Sequence, residues 1–74
     1  MIKIFNIKRN GSIISLSYKS DTGSGDIVFD INKRKLISGE DCIDWYDFGL
    51  IANRIQRYID EGKDIPSWDC MNFY

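Results

Sequence analysis

Residues 3–18, Lys3-Ile4-Phe5-Asn6-Ile7-Lys8-Arg9-Asn10-Gly11-Ser12-Ile13-Ile14-Ser15-Leu16-Ser17-Tyr18, decide how this chain folds. Asn10-Gly11 lies between two apolar stretches. Asn-Gly is the strongest short signal for a two-residue type I′ turn, because both central residues must take positive φ. A turn centred there sets the register: Arg9 faces Ser12, Ile7 faces Ile14, Phe5 faces Leu16 and Lys3 faces Tyr18. In the second strand Ile14, Leu16 and Tyr18 alternate with Ser15, Ser17 and Lys19. The reading therefore places Phe5 and Ile7 on the core face with Ile14, Leu16 and Tyr18, and sends Ile2, Ile4, Asn6 and Lys8 to the other face.

Working outward, Ser20-Asp21-Thr22-Gly23-Ser24-Gly25 is a cluster of turn formers, followed by Ile27, Phe29 and Ile31 in alternation with Asp26, Val28 and Asp30. Pairing Tyr18 with Ile27, Leu16 with Phe29 and Ile14 with Ile31 continues one apolar face over three strands. A tight turn at Asn32-Lys33-Arg34-Lys35 then returns the chain through Leu36 and Ile37 as a short edge strand, with Leu36 facing Ile31.

A helix is predicted from Asp44 to Glu61. Asp44 is the N-cap, with Asp47 three residues on, and Asp41, Asp44 and Asp47 set negative charge at the positive end of the helix dipole. Trp45, Phe48, Ala52, Ile55 and Ile59 recur at three- and four-residue steps and form the core stripe, while Arg54, Gln56 and Arg57 fall outside it. Gly62 suits the position after the helix, and Pro66 prevents continuation. The expected fold is α+β: an antiparallel meander of three or four strands with one C-terminal helix on one face. Residues 1–62 form the domain, and residues 63–74 an aromatic tail with Trp68, Met71, Phe73 and Tyr74.

One helix covers one side of a sheet. The other side, with Ile2, Ile4, Ile13 and Val28, is predicted to present an apolar patch. Contiguous patches of that kind usually mark contact, here with the chain's own tail, a second copy or a different protein. Size points the same way. A chain of 74 residues buries only about 60% of its unfolded surface, and a ligand pocket of roughly 300 Å³ would hollow out much of the core.

The charge, 10 Lys+Arg against 11 Asp+Glu, lacks the basic excess that phosphate neutralisation demands of a general nucleic-acid binder. Two basic clusters, Lys8-Arg9 and Lys33-Arg34-Lys35, nevertheless fall in turns at the same end of the meander. The outline of sheet plus C-terminal helix resembles AP2-like and integrase-arm DNA-binding domains. That resemblance implies DNA contact through the sheet, but this chain carries Asp26, Asp30 and apolar residues where those domains carry Arg and Lys. Met1-Ile2-Lys3-Ile4-Phe5 lacks the pattern of a signal peptide, and no stretch reaches the ~20 apolar residues of a membrane span, so a cytoplasmic protein is expected. The Ile-, Lys- and Asn-rich, Ala-poor usage is that of an AT-rich bacterial or phage genome.

Catalytic signals are thin. Asp21-Thr22-Gly23-Ser24 matches the D-T-G-S signature of aspartic proteases, but Tyr18-Lys19-Ser20 precedes it instead of an apolar run, and a hairpin loop is its natural place. The same loop with Asp26 has oxygen ligands without the spacing of a calcium loop. Cys42 and Cys70 have no histidine to activate them and are expected as reduced thiols. Glu40, Asp41, Asp44 and Asp47 serve the helix start, or form an acidic patch for a basic partner. No cofactor, metal or small-molecule substrate is expected. The sequence thus points to a non-catalytic interaction module, with Ile2, Ile4, Val28, Trp68, Phe73 and Tyr74 contacting a protein partner or a second copy. The alternative is nucleic-acid binding through Lys8, Arg9, Lys33, Arg34 and Lys35.

Overall fold

The computed structural model describes residues 1–71. Strands β1 (Ile2–Asn10), β2 (Ile13–Lys19), β3 (Ser24–Asp30) and β4 (Lys35–Ser38) form the expected meander, helix α1 (Trp45–Asp60) follows, and β5 (Trp68–Met71) is the last described strand. All strands belong to one antiparallel sheet in the order β4-β3-β2-β1-β5. Part of the tail is therefore an edge strand: Ile2 pairs with Met71, Lys3 with Cys70, Ile4 with Asp69 and Phe5 with Trp68. Phe73 and Tyr74 lie outside the described residues.

The first hairpin differs from the sequence reading in two ways: the turn lies one residue later, and β1 carries an extra residue. Asn10 pairs with Ile13, so Gly11 and Ser12 are the central turn residues, and Gly11 takes φ 63°. Further along β1 the register shifts between Phe5 and Lys8, where Asn6 and Ile7 together oppose Leu16. This is a β-bulge, and Asn6 takes a positive φ of 52° within it. The extra residue reverses the alternation. Ile2 and Ile4, before the bulge, face the same side as Ile7, after it. Ile2 and Ile4 are core residues at 3% and 0% exposure, and Phe5 is turned to the outer face at 40%. The assignment of Ile2 and Ile4 to the outer face, and of Phe5 to the core, is thereby corrected.

Between β2 and β3 the pairing is offset by two residues: Ile14 with Phe29, Leu16 with Ile27, Tyr18 with Gly25. An even offset preserves every side chain's face, so Ile14, Leu16, Tyr18, Ile27 and Phe29 are all buried as expected. Leu36 pairs with Phe29 rather than Ile31, and stays on the core side.

Helix α1 lies over that face. Asp44 caps it, its carboxylate accepting the Asp47 N–H at 2.7 Å. Phe48, Ile51, Ala52 and Ile55 are the buried stripe, with Ile59 partly buried, and Phe48 meets Phe29 edge to face at 5.4 Å. Trp45 is the exception to the predicted stripe. It is 76% exposed, its ring 6.1 Å from that of Phe48, while Asp47 and Phe48 in the same first turn are the buried residues.

Candidate interaction surface

The outer face follows from the register. Phe5 sits between Ser17 of β2 and Trp68 of β5, and Lys3 between Lys19 and Cys70. Farther across, Ser15 opposes Val28, and Ser17 opposes Asp26 and donates to its carboxylate at 2.6 Å. The β2–β3 half of this face mixes Ser15, Ser17 and Asp26 with Ile13 and Val28, both half-buried. The apolar surface is at the β1–β5 edge. Trp68, 68% exposed, stands beside Phe5, and a hollow of about 280 Å³ is lined by Lys3, Ile4, Phe5, Trp68, Asp69 and Cys70.

Of the residues expected to meet a partner, Trp68 and Val28 are on the outer face, whereas Ile2 and Ile4 are beneath it in the core. Phe5 was missed. The signal was present in the apolar spacing 2, 4, 7 of β1: a change of parity within a strand requires an extra residue, and Asn6 is a residue type that tolerates positive φ.

The last strand is held from the helix side. Asp69 points under α1 and receives Arg54 Nε at 2.7 Å and the Tyr58 hydroxyl at 2.6 Å, both on Oδ2, while its Oδ1 accepts the Cys70 N–H at 2.8 Å. Arg54 was expected to face water and is instead committed to this contact. Burial works to raise the Asp69 carboxyl pKa. The hydrogen bonds from Arg54, Tyr58 and Cys70 outweigh it, and hold the carboxyl below its usual range. The hydrogen bond to Asp69 is also the main cause of the raised Tyr58 hydroxyl pKa. Fixing Asp69 on one side of β5 fixes Trp68 on the other, since neighbouring strand residues alternate faces.

The basic turns do meet at one end. Ile31 N–H donates to the Ser12 carbonyl at 2.9 Å, joining the β1–β2 turn to the β3–β4 turn. Lys8, Arg9, Lys33, Arg34 and Lys35 are exposed there. Two of them are partly occupied: Arg34 donates to the Asn53 side chain at 2.8 Å and Arg9 to the Gly11 carbonyl at 2.9 Å.

The Asp21-Thr22-Gly23-Ser24 segment runs through the β2–β3 connection into the first residue of β3, and its chemistry is local. Ser20 N–H donates to the Gly23 carbonyl, and the hydroxyls of Ser20 and Thr22 each donate at 2.9 Å to Asp47, a buried carboxylate in the first helical turn. Asp47 thus ties the loop to the helix start. Asp21 is exposed, 3.6 Å from the terminal amine of Met1. The Tyr18 hydroxyl, donating to the Cys42 carbonyl, is pushed up to about 12, first by burial and then by Cys42, Asp47 and Asp44 nearby. Both cysteines are free thiols, and no group of three potential metal-ligating side chains occurs among the described residues. Among them, no helix is long and apolar enough to cross a membrane. No family model, no curated protein and no solved structure matches the chain.

Proposed function

We propose that this protein is a small non-catalytic interaction module that binds another protein, or a second copy of itself, through the Phe5–Trp68 surface of its sheet. One observation carries the reading. Two large aromatic side chains stand side by side on the outer face, both exposed, on strands whose reverse sides are locked into the core and to Arg54. Aromatic anchors on a rigid support are the side chains that dominate interface energies, and ordering them in advance lowers the entropic cost of binding. A cytoplasmic setting and an origin in a phage or mobile element fit the composition and belong to the same proposal.

The test is affinity capture from the native host, comparing the wild-type chain with a Phe5→Ala/Trp68→Ala variant whose fold is verified by circular dichroism. A partner retained by the wild type and lost by the variant supports the reading. Equal capture by both overturns it.

The junction of the two basic turns favours one second reading, nucleic-acid binding through Lys8, Arg9, Lys33, Arg34 and Lys35. A gel-shift titration at low and moderate salt tests it. Binding that falls steeply with salt, and is lost on reversing Lys33 and Lys35, supports that reading. Absence of a shift at low salt overturns it.

A further inference from the structure

We infer that the occupant of the Phe5–Trp68 surface is a second copy of this chain, docked through the corner where its helix begins. The inference rests on the interaction reading above and names the partner.

On the receiving side, Lys3 and Lys19 are Cα partners across β1 and β2, both exposed and neither in an ion pair among the described residues. Like charges directly opposite on one face repel, and an anion placed between them converts that repulsion into two attractions. Phe5 lies on the same face two residues along β1, about 7 Å from Lys3 at the strand rise, with Trp68 beside it. The surface therefore suits a carboxylate and an aromatic group held about 7 Å apart.

On the donating side, Glu40, Asp41 and Asp44 are exposed in the segment that leads directly into Trp45 and Tyr46, which are 76% and 71% exposed. The fold gives these two rings little to do. Trp45 meets only the edge of Phe48, at 6.1 Å, among the described aromatic rings. Charge and apolar character are thus matched between the two patches. They lie on opposite sides of the sheet, the corner on the helix side and the lysine pair on the other, so no single copy brings its own two patches together. Because the two patches face opposite sides of the sheet, two copies do not exchange both contacts across one two-fold axis, and the association is heterologous: it closes into a ring or continues as a chain of subunits. With so few residues it belongs with the small, transient interfaces.

Sedimentation velocity from about 10 μM to about 1 mM, a range that brackets a weak contact, tests the inference. The expected result is a mass that rises with concentration, and an association roughly tenfold or more weaker in Phe5→Ala/Trp68→Ala. Lys3→Glu/Lys19→Glu and Glu40→Lys/Asp41→Lys leave core and cap untouched. Each alone is expected to remain monomeric, and an equimolar mixture to recover association, because each reversed patch then meets its opposite. A wild-type chain that stays monomeric over the whole range overturns the inference. So does association that survives either charge reversal alone, or a mixture that fails to recover. If the wild type is monomeric yet captures a different protein in a Phe5- and Trp68-dependent way, the self-contact falls and the interaction reading stands. If neither occurs, both fall.

Discussion

Arg54 Nε lies 2.7 Å from Asp69 Oδ2, and this ion pair joins the middle of the helix to the last strand of the sheet. The two residues are separated by a turn, a proline and a loop, yet the contact decides which way Trp68 points. Asp69→Asn is expected to destabilise the protein by about 1–3 kcal/mol, the range for losing hydrogen bonds to a partly buried charge. Urea unfolding measures this, and hydrogen exchange should show the amides of residues 68–71 opening before those of β1–β3. Exchange that remains uniform would show that β5 is held by its backbone alone.

Asp69 and Tyr18 make stability depend on pH at opposite ends of the scale. Asp69 titrates below its unfolded value of about 3.9. Its contribution is therefore complete above that pH and lost as pH falls through the folded-state value. Tyr18 titrates in the opposite sense, with a hydroxyl pushed up to about 12 against about 10 in the unfolded chain. Its contribution is complete below about pH 10 and disappears as pH rises towards 12. The unfolding free energy should be level through neutral pH and fall at both ends. Asp69→Asn should weaken the acid limb, and Tyr18→Phe should reduce the alkaline one, to which the raised Tyr58 hydroxyl also contributes, as read by denaturant titration across pH.

Ile4 and Phe5 are adjacent in sequence and opposite in fate. Ile4→Ala empties a fully buried site and should cost about 2–5 kcal/mol. Phe5→Ala should cost less than about 1 kcal/mol, since its ring is on the outer surface. Thermal melts of the two variants check the order. The reverse order would mean that β1 has no bulge.

Asn6 is where the alternation of β1 changes sides, at φ 52°. Asn6→Val should destabilise by about 1–2 kcal/mol, because a β-branched side chain resists that conformation, whereas Asn6→Gly should be close to neutral. Deleting Asn6 should be far worse than either substitution. Without the extra residue, either Ile2 and Ile4 or Ile7 must leave the core.

Gly39 tests the packing of the loop that leads into the helix. It takes φ 90°, and a Cβ there would collide with the Asp26 carbonyl oxygen and lie 2.8 Å from Ile27 Cγ2. Gly39→Ala should therefore cost about 2–4 kcal/mol by combining backbone strain with overpacking. A melt unchanged from wild type would show that the loop shifts freely away from β3.

Much of the architecture is local, and local structure is legible. The alternation of Ile14, Leu16 and Tyr18 against serines, the Asp44 cap and the stripe from Phe48 to Ile59 each express one strand or helix period, so the meander and helix could be read directly. An error of two residues in pairing β2 with β3 did no harm, because faces repeat every two residues. An error of one residue in β1 exchanged Ile4 for Phe5, and with it the identity of the exposed surface.

Sequence by itself determined the α+β class, the order of its first elements and the helix boundaries, because these depend on residues near one another along the chain. Tertiary structure alone decided that the segment from Trp68 would extend the sheet beside β1, and that Arg54 would turn inward to Asp69. Each of those outcomes depends on which distant residues compete for the same buried face, and hydrophobic periodicity within a single segment carries no information about that competition.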